Sequence, residues 1–186
     1  MGLPSSRPRR SRVCGPVLVL ATWVPLVVVA GCTGGAAPDM STGEPGAATV
    51  VEVVDGDTVE VELAGSTETV RLLGIDTPET VDPDEPVGCF GPEASDRTKA
   101  LLPPGTEVRL ERDEEARDRY GRLLAYVHRA EDDVFVNELL LREGFAQTLL
   151  IEPNHAYAGL MLAAQEEARA TGAGLWSTCG DPATTN

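Results

Sequence analysis

Charged and polar side chains are concentrated in three short segments of the sequence, at residues 55–58 (DGDT), 71–79 (RLLGIDTPE) and 118–122 (DRYGR). Hydrolysis of a phosphate ester calls for a divalent cation, an acceptor that orients or deprotonates a water, and cationic donors for the charge that develops on phosphate. Hard cations bind carboxylate and carbonyl oxygens, and arginine binds phosphate oxygens through a bidentate fork. The three segments contain all of these residue types and therefore indicate chemistry on phosphate.

Five side chains in these segments are candidates for such a site. Asp57 lies in a turn and Asp76 at a strand end, so neighbouring strands would bring the two carboxylates together as cation ligands. Glu79 follows Asp76 by three residues and would reach the same cavity. Arg71 and Arg122 would donate hydrogen bonds to phosphate oxygens. Each feature alone is typical of a turn or a solvated surface, and the interpretation depends on the three segments together.

Alternating apolar and polar residues surround these segments and predict strands, with helices concentrated later in the chain. Strands are predicted at 49–54, 58–63, 68–73, 107–112 and 123–127, with a short return strand at 134–136. Helices are predicted at 91–102, 136–143 and 154–171. The last helix carries an apolar stripe that includes Leu160 and Met161. This order of elements predicts an α+β fold in which about five strands close into a small barrel.

The composition limits the class of protein. The chain has 186 residues, enough for one domain with flanking segments, and 42% of the residues are hydrophobic, as in globular proteins. The formal net charge is −15, whereas proteins that coat nucleic acids are basic. The composition therefore argues against general nucleic-acid binding, and any such chemistry has to be local to the arginines.

The first 32 residues have the pattern of an export signal. Basic residues at 7–12 precede an apolar run of 18 residues at 13–30, a pattern shared by signal peptides and membrane anchors. The run ends in Val-Ala-Gly-Cys, which is similar to the lipobox of bacterial lipoproteins, where the cysteine, here Cys32, is acylated. We therefore expect an exported protein attached by lipid to the outer face of the cell membrane. The alternatives are a secreted protein with a plain signal peptide and an uncleaved anchor.

The expected organisation follows from this signal and from the composition of the segments around the strands. It is a signal peptide at 1–31, a flexible tether at 32–48, a domain at 49–180 and a disordered tail at 181–186. Nothing in the sequence requires more than a monomer.

The four cysteines fit an oxidising compartment. Cys14 lies within the signal and Cys32 is the acylation site, which leaves Cys89 and Cys179 as an even number in an exported domain. We predict that these two form a disulfide, and two free thiols are the alternative. Closing a loop of about 90 residues would stabilise the domain by on the order of 4 kcal/mol.

The ordered set DGDT, RLLGIDTPE, GPEAS, DRYGRLLAY and VNELLLREGFA resembles the thermonuclease (staphylococcal nuclease-like) family, over roughly residues 49–177. The resemblance implies an OB-fold barrel with three helices and Ca²⁺-dependent hydrolysis of DNA and RNA that leaves 3′-phosphate ends. It also implies roles by motif position. Asp57 and Asp76 would bind Ca²⁺ beside the backbone carbonyl of Thr77, and Glu79 would hold the attacking water.

The same resemblance implies that Arg71 and Arg122 contact the scissile phosphate, and that Arg119 and Tyr120 contact the terminal phosphate of a bound nucleotide. The sequence departs from the family pattern at 147–154 (QTLLIEPN), where two aromatic residues that stack on bases are absent. Tyr157 is displaced in sequence but is a candidate substitute. Because the domain is acidic, we expect moderate salt, like millimolar Ca²⁺, to raise activity.

Three functional interpretations remain at this point. The first is a nuclease, which the complete set of Glu79 and two arginines favours. The second is a cell-surface OB-fold module that binds nucleic acid or protein without cleaving it, which the negative charge favours. The third is a structural domain whose acidic turns bind Ca²⁺ for stability. Substitution of Glu79 separates the first from the others.

Overall fold

The computed structural model describes residues 46–80 and 87–179. The predicted signal peptide, the acylated Cys32, nearly all of the tether and the tail lie outside these described residues. Within the described ranges, no helix is both long enough and apolar enough to span a lipid bilayer.

The described residues form seven strands and four helices. In chain order they are β1 (Gly46–Asp55), β2 (Thr58–Leu63), β3 (Ser66–Leu72), β4 (Gly74–Asp76), α1 (Gly91–Leu101), β5 (Glu107–Glu111), β6 (Leu123–Arg129), α2 (Val136–Arg142), β7 (Gln147–Leu149), α3 (Ala158–Thr171) and α4 (Leu175–Thr178).

Strands β1, β2, β3, β6 and β5 close into a barrel in that order, and β4 pairs with β7 in a separate two-stranded sheet. Neighbouring barrel strands are antiparallel except β3 and β6, which run parallel. The prediction of an α+β fold built on a five-stranded barrel of the OB type is confirmed.

Side-chain alternation explains how the strands form this barrel. In β2, Val59, Val61 and Leu63 are buried while Glu62 is exposed, because successive side chains of a strand point to opposite faces. Strand β6 is buried along almost its whole length, since it pairs with β3 and β5 and packs against α2. The resulting core lies inside the barrel and continues into the helices.

The predicted return strand at 134–136 is wrong. An isolated bridge pairs His128 with Phe135, and the chain enters α2 at Val136. The strand is cut short because the backbone turns into α2 at Val136, where the Leu139 N–H donates to the Phe135 carbonyl oxygen at 3.0 Å.

The last long helix begins at Ala158 rather than at the predicted residue 154. Asn154 instead lies in a tight turn, where its backbone N–H donates to the Ile151 carbonyl oxygen at 2.9 Å. Its side-chain oxygen accepts a hydrogen bond from Glu115 N at 2.8 Å. On α3 the predicted stripe is only partly correct. Met161, Ala164 and Ala168 are buried, but Leu160 is 40% exposed.

The domain also begins earlier than predicted. Residues 46–48, which the sequence assigned to the tether, pair with β5 as the first part of β1. Gly46, Ala47 and Ala48 are all small, so this part of the strand shows no alternation of apolar and polar residues in the sequence. The predicted disulfide is present and joins Cys89, just before α1, to Cys179, just after α4.

Candidate active site

One cavity brings together every residue that the sequence assigned to catalysis or to the metal. It has a volume of about 310 Å³ and lies where the β1–β2 turn meets the ends of β3 and β4. We call it the acidic cavity. Its lining residues are Val54, Asp55, Asp57, Thr58, Arg71, Asp76, Thr77, Glu79 and Arg122.

Strand pairing places these distant residues side by side. Strands β2 and β3 pair with Thr58 opposite Arg71, so the turn that carries Asp57 lies next to the end of β3. The Leu72 N–H donates to the Asp57 carbonyl oxygen at 2.9 Å, and the Thr77 N–H donates to Asp57 Oδ2 at 3.0 Å. The turn approaches Thr77 so closely that a Cβ on Gly56 would lie 2.6 Å from Thr77 Oγ1, which requires glycine there.

Arg71 is held between the two predicted metal ligands. Its Nη1 donates to the carbonyl oxygens of Leu72 and Ile75, both at 2.8 Å. Its Nη2 lies 3.0 Å from Asp57 Oδ2 and 2.8 Å from Asp76 Oδ1. With 13% of the side chain exposed, the guanidinium group is fixed in orientation and neutralises part of the local negative charge.

The two aspartates form a negatively charged pair. The Asp57 side chain is 10% exposed and that of Asp76 is 55% exposed, so Asp76 is the more accessible. The pKa of Asp76 is raised above its usual value, first because protein atoms displace water around it and then because the Asp57 carboxylate is near. A bound cation would relieve this repulsion.

The donor atoms fit a hard divalent cation. In residues 46–80 and 87–179 no group of three or more His, Cys, Asp and Glu side chains is arranged to hold a metal ion, so the two carboxylates need oxygens of another kind. Thr77 lies against Asp57, and its buried Oγ1 has no hydrogen-bond partner. Carboxylate, carbonyl and water oxygens are the ligands that Ca²⁺ prefers.

Glu79 is oriented by its own neighbours. Its Oε1 accepts from the Thr80 N–H at 2.9 Å, and its backbone carbonyl accepts from Gly88 N at 2.8 Å. The Thr80 hydroxyl donates to Asp55 Oδ1 at 2.5 Å, which ties this segment to the end of β1. These contacts hold the Glu79 backbone and one of its carboxylate oxygens, and the side chain lines the acidic cavity.

Asp55 is a site residue that the sequence reasoning did not select. It is buried in the wall of the acidic cavity and also accepts from the Gly56 N–H at 2.8 Å. Burial, opposed by these hydrogen bonds, raises the pKa of Asp55, and the carboxylates of Glu79 and Asp57 raise it further. Its position in the DGDT motif was the available signal, but an aspartate there is equally typical of a turn.

A second cavity, of about 510 Å³, shares Arg71 and Arg122 with the first. We call it the open cavity. Tyr120, with 68% of its surface exposed, lies in its wall, and its ring is 4.7 Å from the guanidinium carbon of Arg119 and 5.5 Å from that of Arg122. The residues assigned to the terminal phosphate, Arg119 and Tyr120, are thus adjacent to each other and to the acidic cavity.

Aliphatic side chains line the open cavity where the family pattern has aromatics. Leu149 and Ile151 form this part of the wall and are exposed. Tyr157 does not replace them, so that suggestion is wrong. It packs against Tyr126 and Phe135, with ring centroids 4.7 and 5.0 Å away, and its hydroxyl donates to Glu111 Oε1 at 2.8 Å.

Asp118 orients Arg122. Its Oδ2 accepts from Arg122 Nε at 2.7 Å, and its Oδ1 accepts from the Arg122 N–H at 2.9 Å. Partial burial alone would raise the pKa of Asp118, but these hydrogen bonds lower it, so the carboxylate is charged. Sequence reasoning missed this supporting role, which depends on the turn at residues 118–122 folding back on itself.

A closed barrel with one cavity lined by three aspartates, a glutamate and two arginines is the framework of a phosphodiester hydrolase. The fold and the site together define an enzyme of the nuclease class. Comparisons with known proteins identify the family.

The family model described as "Staphylococcal nuclease homologue" matches residues 69–178. The chain is 43% identical over 128 residues to the thermonuclease of Staphylococcus hyicus, covering 69% of this chain and 74% of the relative. It is 41% identical over 162 residues to the thermonuclease of Staphylococcus intermedius, covering 86% and 95%. It is 41% identical over 134 residues to endonuclease YncB of Bacillus subtilis (strain 168), covering 71% and 62%. The chain belongs to the staphylococcal nuclease homologue family.

Proposed function

We propose that the protein is an exported, Ca²⁺-dependent nuclease that hydrolyses phosphodiester bonds of DNA and RNA and leaves 3′-phosphate ends. The observation that carries the proposal is the acidic cavity, in which residues from three separate segments of the sequence converge. The thermonuclease and endonuclease relatives support the same reaction class.

Asp57 and Asp76, with the Thr77 carbonyl, are the residues that would hold the cation. Ca²⁺ supplies positive charge that offsets the charge of a phosphate in the transition state. The two carboxylates already lie close enough to share the guanidinium group of Arg71. Their side chains differ in exposure, so Asp76 is the ligand on the solvent side and Asp57 the one within the protein.

Glu79 is the residue we assign to the attacking water. Its carboxylate has a fixed direction, because the Thr80 N–H holds Oε1 and the Thr80 hydroxyl is held by Asp55. A positioned carboxylate that accepts the proton of a water, or orients it, lowers the barrier to attack on phosphorus.

Arg71 and Arg122 line both cavities, so they stand at the boundary between them. A phosphate bound at this boundary would have the acidic cavity on one side and the open cavity on the other. Both guanidinium groups would place positive charge beside its oxygens, with Arg122 donating charge-assisted hydrogen bonds, and would stabilise the charge that develops there. The open cavity would then take the adjoining nucleoside.

The binding of the nucleoside is the part of the proposal that differs from the family pattern. Leu149 and Ile151 offer apolar contact but no aromatic face, and base stacking contributes roughly 1–3 kcal/mol per base. The net charge of −15 also repels a polyanion, most strongly at low ionic strength. We therefore propose a nuclease with weak substrate binding whose activity rises on addition of moderate salt.

Export is proposed from the sequence pattern of the first 32 residues. A signal peptide and an acylated Cys32 would hold the domain at the outer face of the membrane, where Ca²⁺ is abundant and Cys89 and Cys179 are oxidised. Labelling with a radioactive or clickable fatty acid, compared between the natural chain and Cys32→Ala, would test the anchor. Label that persists in Cys32→Ala would contradict it.

The function is tested by incubating the purified protein with single-stranded DNA in Ca²⁺ or in EGTA. We expect cleavage that requires Ca²⁺ and is lost in Arg122→Ala. The matched control is Arg109→Ala, because Arg109 on β5 pairs with Asp133 and Glu111 and lines neither cavity. Oligonucleotide binding without cleavage by the natural chain would contradict the proposal and would indicate a binding module.

A further inference from the structure

The disulfide lies next to the segment that carries the predicted metal ligands. A cavity of about 290 Å³ is lined by Cys89 and Cys179 together with consecutive residues at the predicted metal-ligand strand end. These are Asp76, Thr77 and Pro78. The cross-link is therefore a neighbour of the site, although it belongs to neither the acidic nor the open cavity.

The turn that carries Cys89 is packed on the backbone of Glu79. Gly88 N donates to the Glu79 carbonyl oxygen at 2.8 Å. A Cβ on Gly88 would lie 2.7 Å from Pro78 Cβ and 3.1 Å from Glu79 N, so the two segments are in direct backbone contact. Gly91 is equally close, since its Cβ would lie 3.0 Å from the Pro78 carbonyl oxygen. The backbone of Pro78 and Glu79 therefore rests on this turn, and a displacement of the turn would disturb it.

The other end of the cross-link is fixed to the helical core. Leu175, at the start of α4, is fully buried, and its N–H donates to the Gly144 carbonyl oxygen at 2.9 Å. Cys179 N donates to the Leu175 carbonyl oxygen at 2.8 Å, which continues the helix up to the disulfide. The disulfide thus connects a rigid element to the turn that supports Glu79.

A second contact holds the same turn at its far end. The Phe90 ring stacks on Phe145 with centroids 5.4 Å apart, and α1 begins directly afterwards. Without the disulfide, Phe90 and α1 would keep the turn near its site, while Gly88 and Cys89 would gain freedom. Loss of the cross-link is therefore expected to loosen the support of Glu79 without unfolding the barrel.

We propose that the Cys89–Cys179 disulfide is a positioning element for Glu79, so that the nuclease reaches full turnover only in its oxidised form. The inference rests on the proposed function, because it concerns the residue assigned to the attacking water. Cys89 is exposed, so the cross-link is accessible to a soluble dithiol. The protein would be held at low activity in a reducing compartment and activated where disulfides form.

The chemical step is thiol–disulfide exchange. One thiolate of a small dithiol attacks a sulfur of the disulfide, and its second thiol then releases the other protein sulfur. The S–S bond of the protein is reduced to two thiols, and the dithiol is oxidised to a cyclic disulfide. Reoxidation by an added disulfide reverses the exchange.

The test compares kcat and KM for a short fluorescent single-stranded DNA at saturating Ca²⁺, with and without dithiothreitol. For the natural chain we expect reduction to lower kcat on the order of 10- to 100-fold, because a displacement of about 1 Å at a catalytic group has effects of this size. KM should change by less than about twofold, since the open cavity is not involved. Reoxidation should restore kcat.

Two variants serve as controls. The double variant Cys89→Ser with Cys179→Ser should have the low kcat and no response to dithiothreitol. Val108→Ala removes buried core volume on β5, away from all three cavities, and should lose stability while its kcat per folded molecule is unchanged. Circular dichroism gives the folded fraction of each protein.

Two results would overturn the inference. One is a reduced natural chain with full kcat. The other is a loss of activity that matches the loss of folded protein, as for a purely structural cross-link. An oxidised natural chain that fails to cleave DNA would instead contradict the proposed function, so the two failures are distinguishable.

Discussion

The acidic cavity and the open cavity share two arginines but are constructed differently. In the acidic cavity Arg71 is 13% exposed and is bound by two carbonyl oxygens and two carboxylates. In the open cavity Tyr120 is 68% exposed and Ile151 is 56% exposed, and the segment that contains Ile151 differs from the family pattern. Catalysis needs charged groups in fixed positions, as in the acidic cavity. Binding of a nucleoside needs an accessible contact surface, as in the open cavity. Substitutions in the first cavity should lower kcat, and those in the second should change KM.

The largest effect is expected for Glu79→Gln in the acidic cavity. The amide keeps the size of the side chain but cannot accept the proton of the water, so kcat should fall by roughly 10²–10⁴-fold. KM and the melting temperature should be nearly unchanged. Steady-state cleavage of single-stranded DNA measures both constants. Glu93→Gln, at an exposed position in the first turn of α1, is the matched control. Full kcat in Glu79→Gln would show that our assignment of the water is incorrect.

Arg71→Lys should have the next largest effect. Lysine keeps the charge, but its single ammonium group cannot bind the Leu72 and Ile75 carbonyls and both aspartates at once. We expect kcat to fall by about 10²-fold, with a lower melting temperature, because the interactions lost are those of the transition state and of the turn. Rates for Arg109→Lys provide the reference. If Arg71→Lys stays within about twofold of the natural kcat, the fork geometry is unimportant.

The meeting of Glu79 and Arg71 in one cavity was predictable because both lie in the RLLGIDTPE segment, which together with DGDT and DRYGR indicated a single site. Alternation in the flanking strands predicted the barrel that joins these segments. The supporting residues were not predictable. Asp55 and Thr80 are 25 positions apart, and only the fold shows that one binds the other.

The open cavity should respond in KM. Ile151→Tyr provides an aromatic face in a wall that is already exposed, and stacking of one base should lower KM by roughly 5- to 10-fold at unchanged kcat. Leu162→Tyr, exposed on α3 and outside both cavities, controls for added surface aromatics. A change confined to kcat in Ile151→Tyr would break the division of roles between the cavities.

The smallest effect is expected for a substitution at a residue that lines neither cavity. It should change the stability of the fold but neither kcat nor KM. His128 is buried on β6, stacked on Phe135, and its ring nitrogens have no hydrogen-bond partner in the described structure. Burial and the Arg109 charge lower the pKa of His128, although Glu111 and Asp133 act in the opposite direction. Below the unfolded pKa of about 6.5 the unfolded chain binds more protons, so stability falls as the pH decreases.

His128→Gln removes this titration. The melting temperature of the natural chain should fall between pH 7.5 and 5.5 by more than that of His128→Gln, while kcat and KM at pH 7.5 are the same for both. Differential scanning fluorimetry at the two pH values measures the difference. Parallel loss of stability in the two proteins would show that other groups cause the acid sensitivity.

The shortest elements were the least predictable. Strands β4 and β7 contain three residues each and α4 contains four, too few for a periodicity to appear. They form through tertiary contacts, such as the pairing of Ile75 with Thr148 and the burial of Leu175. The sequence predicted the disulfide from the number of cysteines, but its position beside Asp76, Thr77 and Pro78 required the structure.

The most direct measurement is a Ca²⁺ titration of DNA cleavage for the natural chain and for Asp57→Asn. If the acidic cavity holds the cation, the Ca²⁺ concentration for half-maximal activity should rise at least about tenfold in the variant, because a neutral amide is a weaker ligand for a hard cation. An unchanged titration, or undiminished cleavage in EGTA, would contradict a Ca²⁺-dependent reaction in this cavity.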